Sequence, residues 1–266
     1  MINFFKRQTA FGASLDGARQ HEGIDPIVWD RTLARYDFLH GLDDLERARL
    51  RGLVEEFLRL KELVGVQGLS LTDEMRVAIA AQASLPILNL GLAPYTGFVG
   101  IVVYPGEFRV RREEMDDDGV VHEWDDELAG EAWPGGPVVL SWADASTAEA
   151  GYCVVIHEFA HKLDMLTGDA DGYPPVPLGI THDQWRTQLE AAYDRYCDDL
   201  DRAPMNAHGE TEFDLDPYGA EHPAEFFAVM SEMFFTAPNF LRVRYPDLYG
   251  LLTQFYRQDP AKRLAA

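Results

Sequence analysis

Apolar residues recur at helical spacing along much of the chain. The clearest run is 43–63, where Leu50, Leu53, Val54, Phe57 and Leu58 share one side and charged residues take the other. Gly65 and Gly68 end it. Ahead of it, 26–39 carries Trp29, Leu33 and Tyr36 as the apolar side of a shorter helix. Residues 1–25 are weakly patterned and read as a loosely docked arm. Thr72 followed by Asp73 and Glu74 has the chemistry of a capped helix start. That helix runs through Met75, Ile79 and Ala83 and stops before Pro86.

The period then changes. Residues 98–104 (Phe-Val-Gly-Ile-Val-Val-Tyr) are β-branched and short, which predicts a strand. A second strand is expected in 137–142, so a small sheet forms around 98–110 and 137–142. Between them, 113–131 is densely acidic and broken by Val120-Val121-His122-Glu123-Trp124; it reads as an exposed hairpin or excursion, a solvated face with a role in substrate entry as the alternative. No proline or glycine falls within 152–167, and Val154, Ile156 and Ala160 fit a buried helix there. Gly168-Asp169-Ala170-Asp171-Gly172 is a turn; the rest of a calcium loop is missing. An amphipathic helix over 183–200 has Trp185, Leu189, Tyr193 and Cys197 as its stripe, and 201–217 is a polar loop. Residues 223–235 and 238–256 are helical, with Pro246 a point where the latter can break.

Composition narrows the function classes. The chain has 266 residues and a net charge of −22, which would repel a phosphate backbone, so direct nucleic-acid binding is not expected. No stretch approaches the ~20 apolar residues of a membrane span, and the N-terminus has no apolar signal region. Cys153 and Cys197 make no disulfide framework. These features describe a soluble, cytoplasmic protein.

The chemistry concentrates in His157-Glu158-Phe159-Ala160-His161. Two histidines four apart on a helix lie about 40° apart around its axis. They can share one metal ion, while Glu158 can reach a water beside it, the H-E-x-x-H pattern of zinc peptidases. With 8 histidines and 45 acidic residues, chance supplies only about 0.04 such matches. A buried helix whose histidines merely hydrogen-bond is the bland alternative. Cys153, one turn before His157, could reach the same ion, but a small buried residue explains it better.

A third ligand is required. Asp164 and Thr167 stand where a metzincin has Gly and His, so that class is excluded. A glutamate on a later helix is the remaining common choice, and Glu210, Glu212, Glu221, Glu225 and Glu232 are the candidates. Pro223 suits a first helical position, which makes His222 the cap and puts Glu225 in the first turn, where an anion is stabilised. That is also a capping-box position for Glu, so spacing alone leaves the choice open.

Residues 85–91 (Leu-Pro-Ile-Leu-Asn-Leu-Gly), Val139-Leu140-Ser141-Trp142, His157 through Asp164 and Tyr218 through Phe235 together resemble the Mlc titration factor A family of zinc peptidases. The likeness covers about 30–262 and includes the ending Phe255-Tyr256-Arg257-Gln258-Asp259-Pro260. That family is of gluzincin type, related in its site to the catalytic domain of anthrax lethal factor. The resemblance implies that Glu225 is the third zinc ligand, and that Tyr218, seven residues earlier, stabilises the transition state. It also implies aminopeptidase action on small peptides and a transcriptional repressor as protein partner. The acidic 113–131 segment and a longer loop before Tyr218 depart from the family pattern, which bears on substrate and partner.

The expected protein is therefore an α+β, mostly helical, zincin-like metallopeptidase with a small sheet beside the H-E-x-x-H helix. It has one domain over 26–266, helical through 92 and catalytic from 93. His157, His161 and Glu225 hold Zn²⁺, and Glu158 takes a proton from the water that zinc activates. Asp164 is a candidate acceptor for a ligand imidazole, or simply a solvent-facing carboxylate. The competing class is a regulatory module that sequesters a repressor around a structural metal. Glu158 discriminates, because a purely structural site has no need of a base.

Overall fold

Asp25 accepts the backbone N–H of Ile27 at 2.7 Å and opens the first helix, α1 (Pro26–Arg35). The computed structural model describes residues 23–115, 121–147, 149–205 and 214–263. Most of the expected N-terminal arm lies outside that range, but its end belongs to the fold: Ile24 is buried in the core. Helix α2 (Asp44–Leu60) starts from a capping box between Asp43 and Glu46.

The sequence pattern carried this helix to residue 63, and here the structure differs. The chain straightens at Lys61, and β1 (Glu62–Gly65) pairs in parallel with β2 (Gly100–Tyr104). Leu63 satisfies either period, and tertiary pairing decides between them. Helix α3 (Asp73–Ser84) fills the connection as expected, with the Thr72 hydroxyl accepting from Met75 N–H at 3.2 Å.

Strands β3 (Phe108–Met115) and β4 (Val121–Leu128) form an antiparallel hairpin of their own, so 108–110 does not join the main sheet. The hairpin over the acidic segment is as expected, but its tail is not. Residues Gly130–Ala132 form β5, which pairs antiparallel with β6 (Val138–Ser141). The main sheet thus runs β1-β2-β6-β5, with β5 at its end. Its core positions, Ile101, Val103, Val138 and Leu140, are fully buried.

A single turn of helix, α4 (Trp142–Ala145), leads to the central helix α5 (Val154–Asp164), which continues as a 3₁₀ turn over Met165–Thr167. Helix α6 (His182–Asp201) buries Trp185, Leu189 and Tyr196, whereas Tyr193 and Cys197 of the expected stripe are half-buried. Helix α7 (Pro223–Thr236) packs along α5. Then α8 (Pro238–Arg244) and α9 (Pro246–Tyr256) divide at Pro246, and α10 (Pro260–Arg263) closes the described chain. Arg263 is bidentate to Glu46, which fastens the end of the chain to the start of α2. The architecture is α+β and mostly helical with a small mixed sheet. Among the described residues, no helix is long and apolar enough to cross a membrane.

Candidate metal centre

Helix α5 is buried on nearly every side, which its apolar sequence requires. No side chain caps its start within the segment. Instead the N–H of Cys153 donates to Glu232 of α7. The Cys153 thiol is fully buried and contacts the Gln82 side chain at 3.2 Å, and burial raises its pKa strongly. It is a packed residue and lies outside the cluster of metal-type donors.

Helix α7 begins as its sequence suggests. Pro223 is the first helical residue, and Nδ1 of His222 accepts from Ala224 N–H at 3.2 Å. Glu225 then sits in the first turn and reaches α5. Its Oε2 is 3.1 Å from Nε2 of His157 and 3.2 Å from Nε2 of His161, and the two nitrogens are 3.1 Å apart. Donors 2.0–2.1 Å from a tetrahedral ion stand about 3.3 Å from one another. A nitrogen–nitrogen–oxygen triangle of this size is therefore suited to zinc by both donor type and spacing.

Electrostatics agree with cation binding. Burial pushes the Glu225 carboxyl up, but hydrogen bonds and charge from His157 and His161 outweigh it and hold the group well below the usual range. For His157, burial favours the neutral ring, yet hydrogen bonds to Glu225 and Glu232 prevail and raise its pKa well above the ordinary value. The Glu225 carboxyl is thus held deprotonated, the form a metal ligand needs.

Glu158 is 4% exposed, and its Oε2 has no hydrogen-bond partner among the described residues. Burial raises its pKa to about 8; His157 opposes this, while Glu225, Glu232 and Glu131 add to it. A Cβ placed on Gly130 of β5 would lie 2.5 Å from Glu158 Oε1, so the bare backbone of β5 roofs this carboxylate. Tyr218 occupies a 3₁₀ turn over Pro217–Ala220, where Asp216 accepts its N–H at 3.0 Å. Its ring is 6.0 Å from that of His157 and 39% exposed. Glu158, Tyr218 and the donor triangle open on one cleft of about 360 Å³, also lined by Glu131, Ala132, Asp216 and Met165.

The other candidates fall elsewhere. Glu210 and Glu212 lie outside the described residues. Glu221 is exposed and outside the donor cluster. Asp164 is buried, not solvent-facing, and accepts Gly172 N–H at 2.7 Å, which anchors the turn after α5. No hydrogen bond joins it to His161, whose Nδ1 has no partner among the described residues. The carboxylate on the outer nitrogen of a cluster histidine is instead Glu232, at 2.7 Å from Nδ1 of His157 and 2% exposed. Its spacing of seven from Glu225, two turns on one helix face, was a readable signal for this role. Gly130 gave none.

Comparison with known proteins gives the same direction. The profile of the family described as glucose-regulated metallo-peptidase M90 matches residues 12–257. The chain is 42% identical over 226 residues to a protein named Mlc titration factor A from Pectobacterium atrosepticum, covering 84% of this chain and 83% of that one. A protein of the same name from Salmonella arizonae is 42% identical over 240 residues, covering 89% and 93%.

Proposed function

Because this chain belongs to the glucose-regulated metallo-peptidase M90 family, we propose that it is a zinc-dependent peptidase whose single zincin-like domain spans 26–266. His157, His161 and Glu225 hold the ion, and Glu158 is the general base. The carrying observation is the triangle of donors 3.1–3.2 Å apart beside a buried carboxylate with an unpartnered oxygen. Zinc bound there would polarise the scissile carbonyl and acidify a neighbouring water.

The chain's own residues account for the proton traffic. Glu158 receives the proton of the attacking water and passes it to the leaving amine as the C–N bond breaks. Burial in the cleft with one oxygen unpartnered leaves Glu158 placed to take a proton from water and keep it for the leaving amine. The Tyr218 hydroxyl is assigned as donor to the developing oxyanion, its ring standing beside His157. Glu232 fixes the tautomer of His157 so that Nε2 faces the ion.

The substrate is an extended peptide. Ser141 N–H bonds to Ala129 O and Trp133 N–H to Pro137 O, so the odd-numbered residues of β5 face β6. Gly130 and Ala132 therefore turn their N–H and C=O groups the other way, which suits a peptide added as a further strand. Glu131 and Asp216 line the cleft, and no Lys or Arg does among the described residues. A cationic α-amino end is favoured there, which supports aminopeptidase action on small peptides.

The name of the relatives supports a second activity. We propose a cytoplasmic location and a transcriptional repressor as partner, in keeping with the name Mlc titration factor A. Zinc analysis and peptidase assay of wild type and Glu158→Gln test the principal reading. One zinc per chain in both, with hydrolysis lost in the variant, is the expected result. Equal activity in the two proteins would remove Glu158 as the base.

A further inference from the structure

Lys162 follows His161 in α5 and is only 5% exposed. Its Nζ donates to two backbone carbonyls, Trp133 O at 2.5 Å and Gly136 O at 2.8 Å. The same ammonium stands 4.5 Å from the Phe98 ring centroid, and Lys61 Nζ is 3.7 Å from that ring. A buried ammonium is costly unless its donors are satisfied. An apolar side chain would fill this space without that cost, so what the cation adds is its grip on the two carbonyls.

Both carbonyls belong to the turn that joins β5 to β6. That turn is tightly specified: Gly136 N–H bonds to Trp133 O at 3.0 Å, and Gly135 has φ +60°. A Cβ on Gly136 would sit 2.9 Å from that of Trp133. Four residues before Lys162, one helical turn along α5, Glu158 lies under Gly130. One face of α5 thus holds the strand-turn unit at two points, by van der Waals contact at Gly130 and by hydrogen bonds at 133 and 136.

We infer that Lys162 is a positioning residue: it fixes the outward edge of β5 over the cleft and thereby governs the binding of extended peptides. This rests on the peptidase reading above. The chemistry at the donor triangle does not pass through Lys162, so its loss should appear in KM for substrates long enough to run along β5. Substrates that reach only the metal centre should be spared.

The test combines hydrogen exchange with kinetics on wild type, Lys162→Met and Lys162→Arg. In Lys162→Met, amide exchange across 129–136 should quicken about tenfold or more, while 154–164 and zinc content stay unchanged. KM for an internally quenched octapeptide should rise about tenfold with kcat held within about threefold, and kcat/KM for leucine 4-nitroanilide should move less than about twofold. Lys162→Arg, which can still donate to both carbonyls, should restore exchange and KM. If Lys162→Met fails to fold, Lys162→Gln replaces it under the same criteria. Wild-type exchange across 129–136 in the variant, or a loss carried by kcat on both substrates, overturns the inference. A wild-type protein inactive on both substrates overturns the peptidase reading instead.

Discussion

Glu232 Oε1 lies 2.7 Å from Nδ1 of His157, on the side of the ring away from Glu225. One helix, α7, therefore touches both nitrogens of the same imidazole, two turns apart. The second oxygen of Glu232 accepts Cys153 N–H at the start of α5, so the same carboxylate also fixes the histidine-bearing helix along its axis.

Glu232→Gln should weaken zinc binding by about 10–100-fold, because an amide cannot hold the Nδ1 proton as a carboxylate does. Its amide oxygen still accepts from Cys153, so the melting temperature of the metal-free protein should change little. Chelator competition measures the first effect and calorimetry the second. Unchanged zinc affinity would reduce Glu232 to a helix tie.

Tyr218→Phe should lower turnover by roughly 10–1000-fold with little change in KM, if its hydroxyl meets the oxyanion. Tyr173→Phe is the control, since its hydroxyl contacts Glu190 at 3.1 Å and the residue is not part of the cleft lining. A penalty confined to KM would show binding common to ground and transition states.

Gly130→Ala places a methyl 2.5–2.8 Å from Oε1, Cγ and Cδ of Glu158. Either the strand or the base must move. Activity should fall at least about tenfold, while unfolding free energy changes by only about 1–3 kcal/mol, as for other overpacked sites. Steady-state kinetics beside urea unfolding separates the two.

Lys61 supplies a pH dependence. It is buried, donates to Tyr95 O and Phe98 O, and burial lowers its pKa from 10.5 to about 8. Between those values the unfolded chain binds more protons than the folded one, so stability contributed at this residue rises with pH across that window. Relative to Lys61→Met, the wild type should gain up to about 3 kcal/mol from below pH 8 to above pH 10. Urea unfolding of both proteins at pH 7 and pH 10 checks the sign; a constant difference would show that the amine is solvated.

The parts of this molecule that obey one local rule are legible in its sequence. Pro223 and His222 announce the start of α7, Pro246 the break before α9, and the i, i+4 spacing of the histidines the convergence of their Nε2 atoms. What escaped depended on contacts distant in sequence. β1 was hidden because Leu63 fits the helical period of α2 as well as a strand, and only pairing with β2 resolves it. β5 was hidden inside an acidic stretch whose composition suggested solvent, although Glu131 pairs with Val139 and lines the cleft. Asp164 carried the right chemistry for a histidine partner, but the Gly172 amide holds one of its oxygens. Glu232, a ligand candidate by sequence, lies outside the donor cluster and against Nδ1 of His157, a distinction that depends on how α5 and α7 pack.

The ends of the main sheet have a consequence for self-association. A row of unpaired strand groups is a template on which another chain can aggregate. At β1 the Arg76 guanidinium occupies Leu63 O at 2.9 Å. At β5 the edge is three residues long, enough for two outward-facing positions, Gly130 and Ala132. A sheet from a second copy needs a longer run to nucleate on, whereas a short guest peptide does not. The brevity of β5 would thus separate two outcomes that use the same backbone chemistry, holding a peptide as proposed above and polymerising with a sibling molecule.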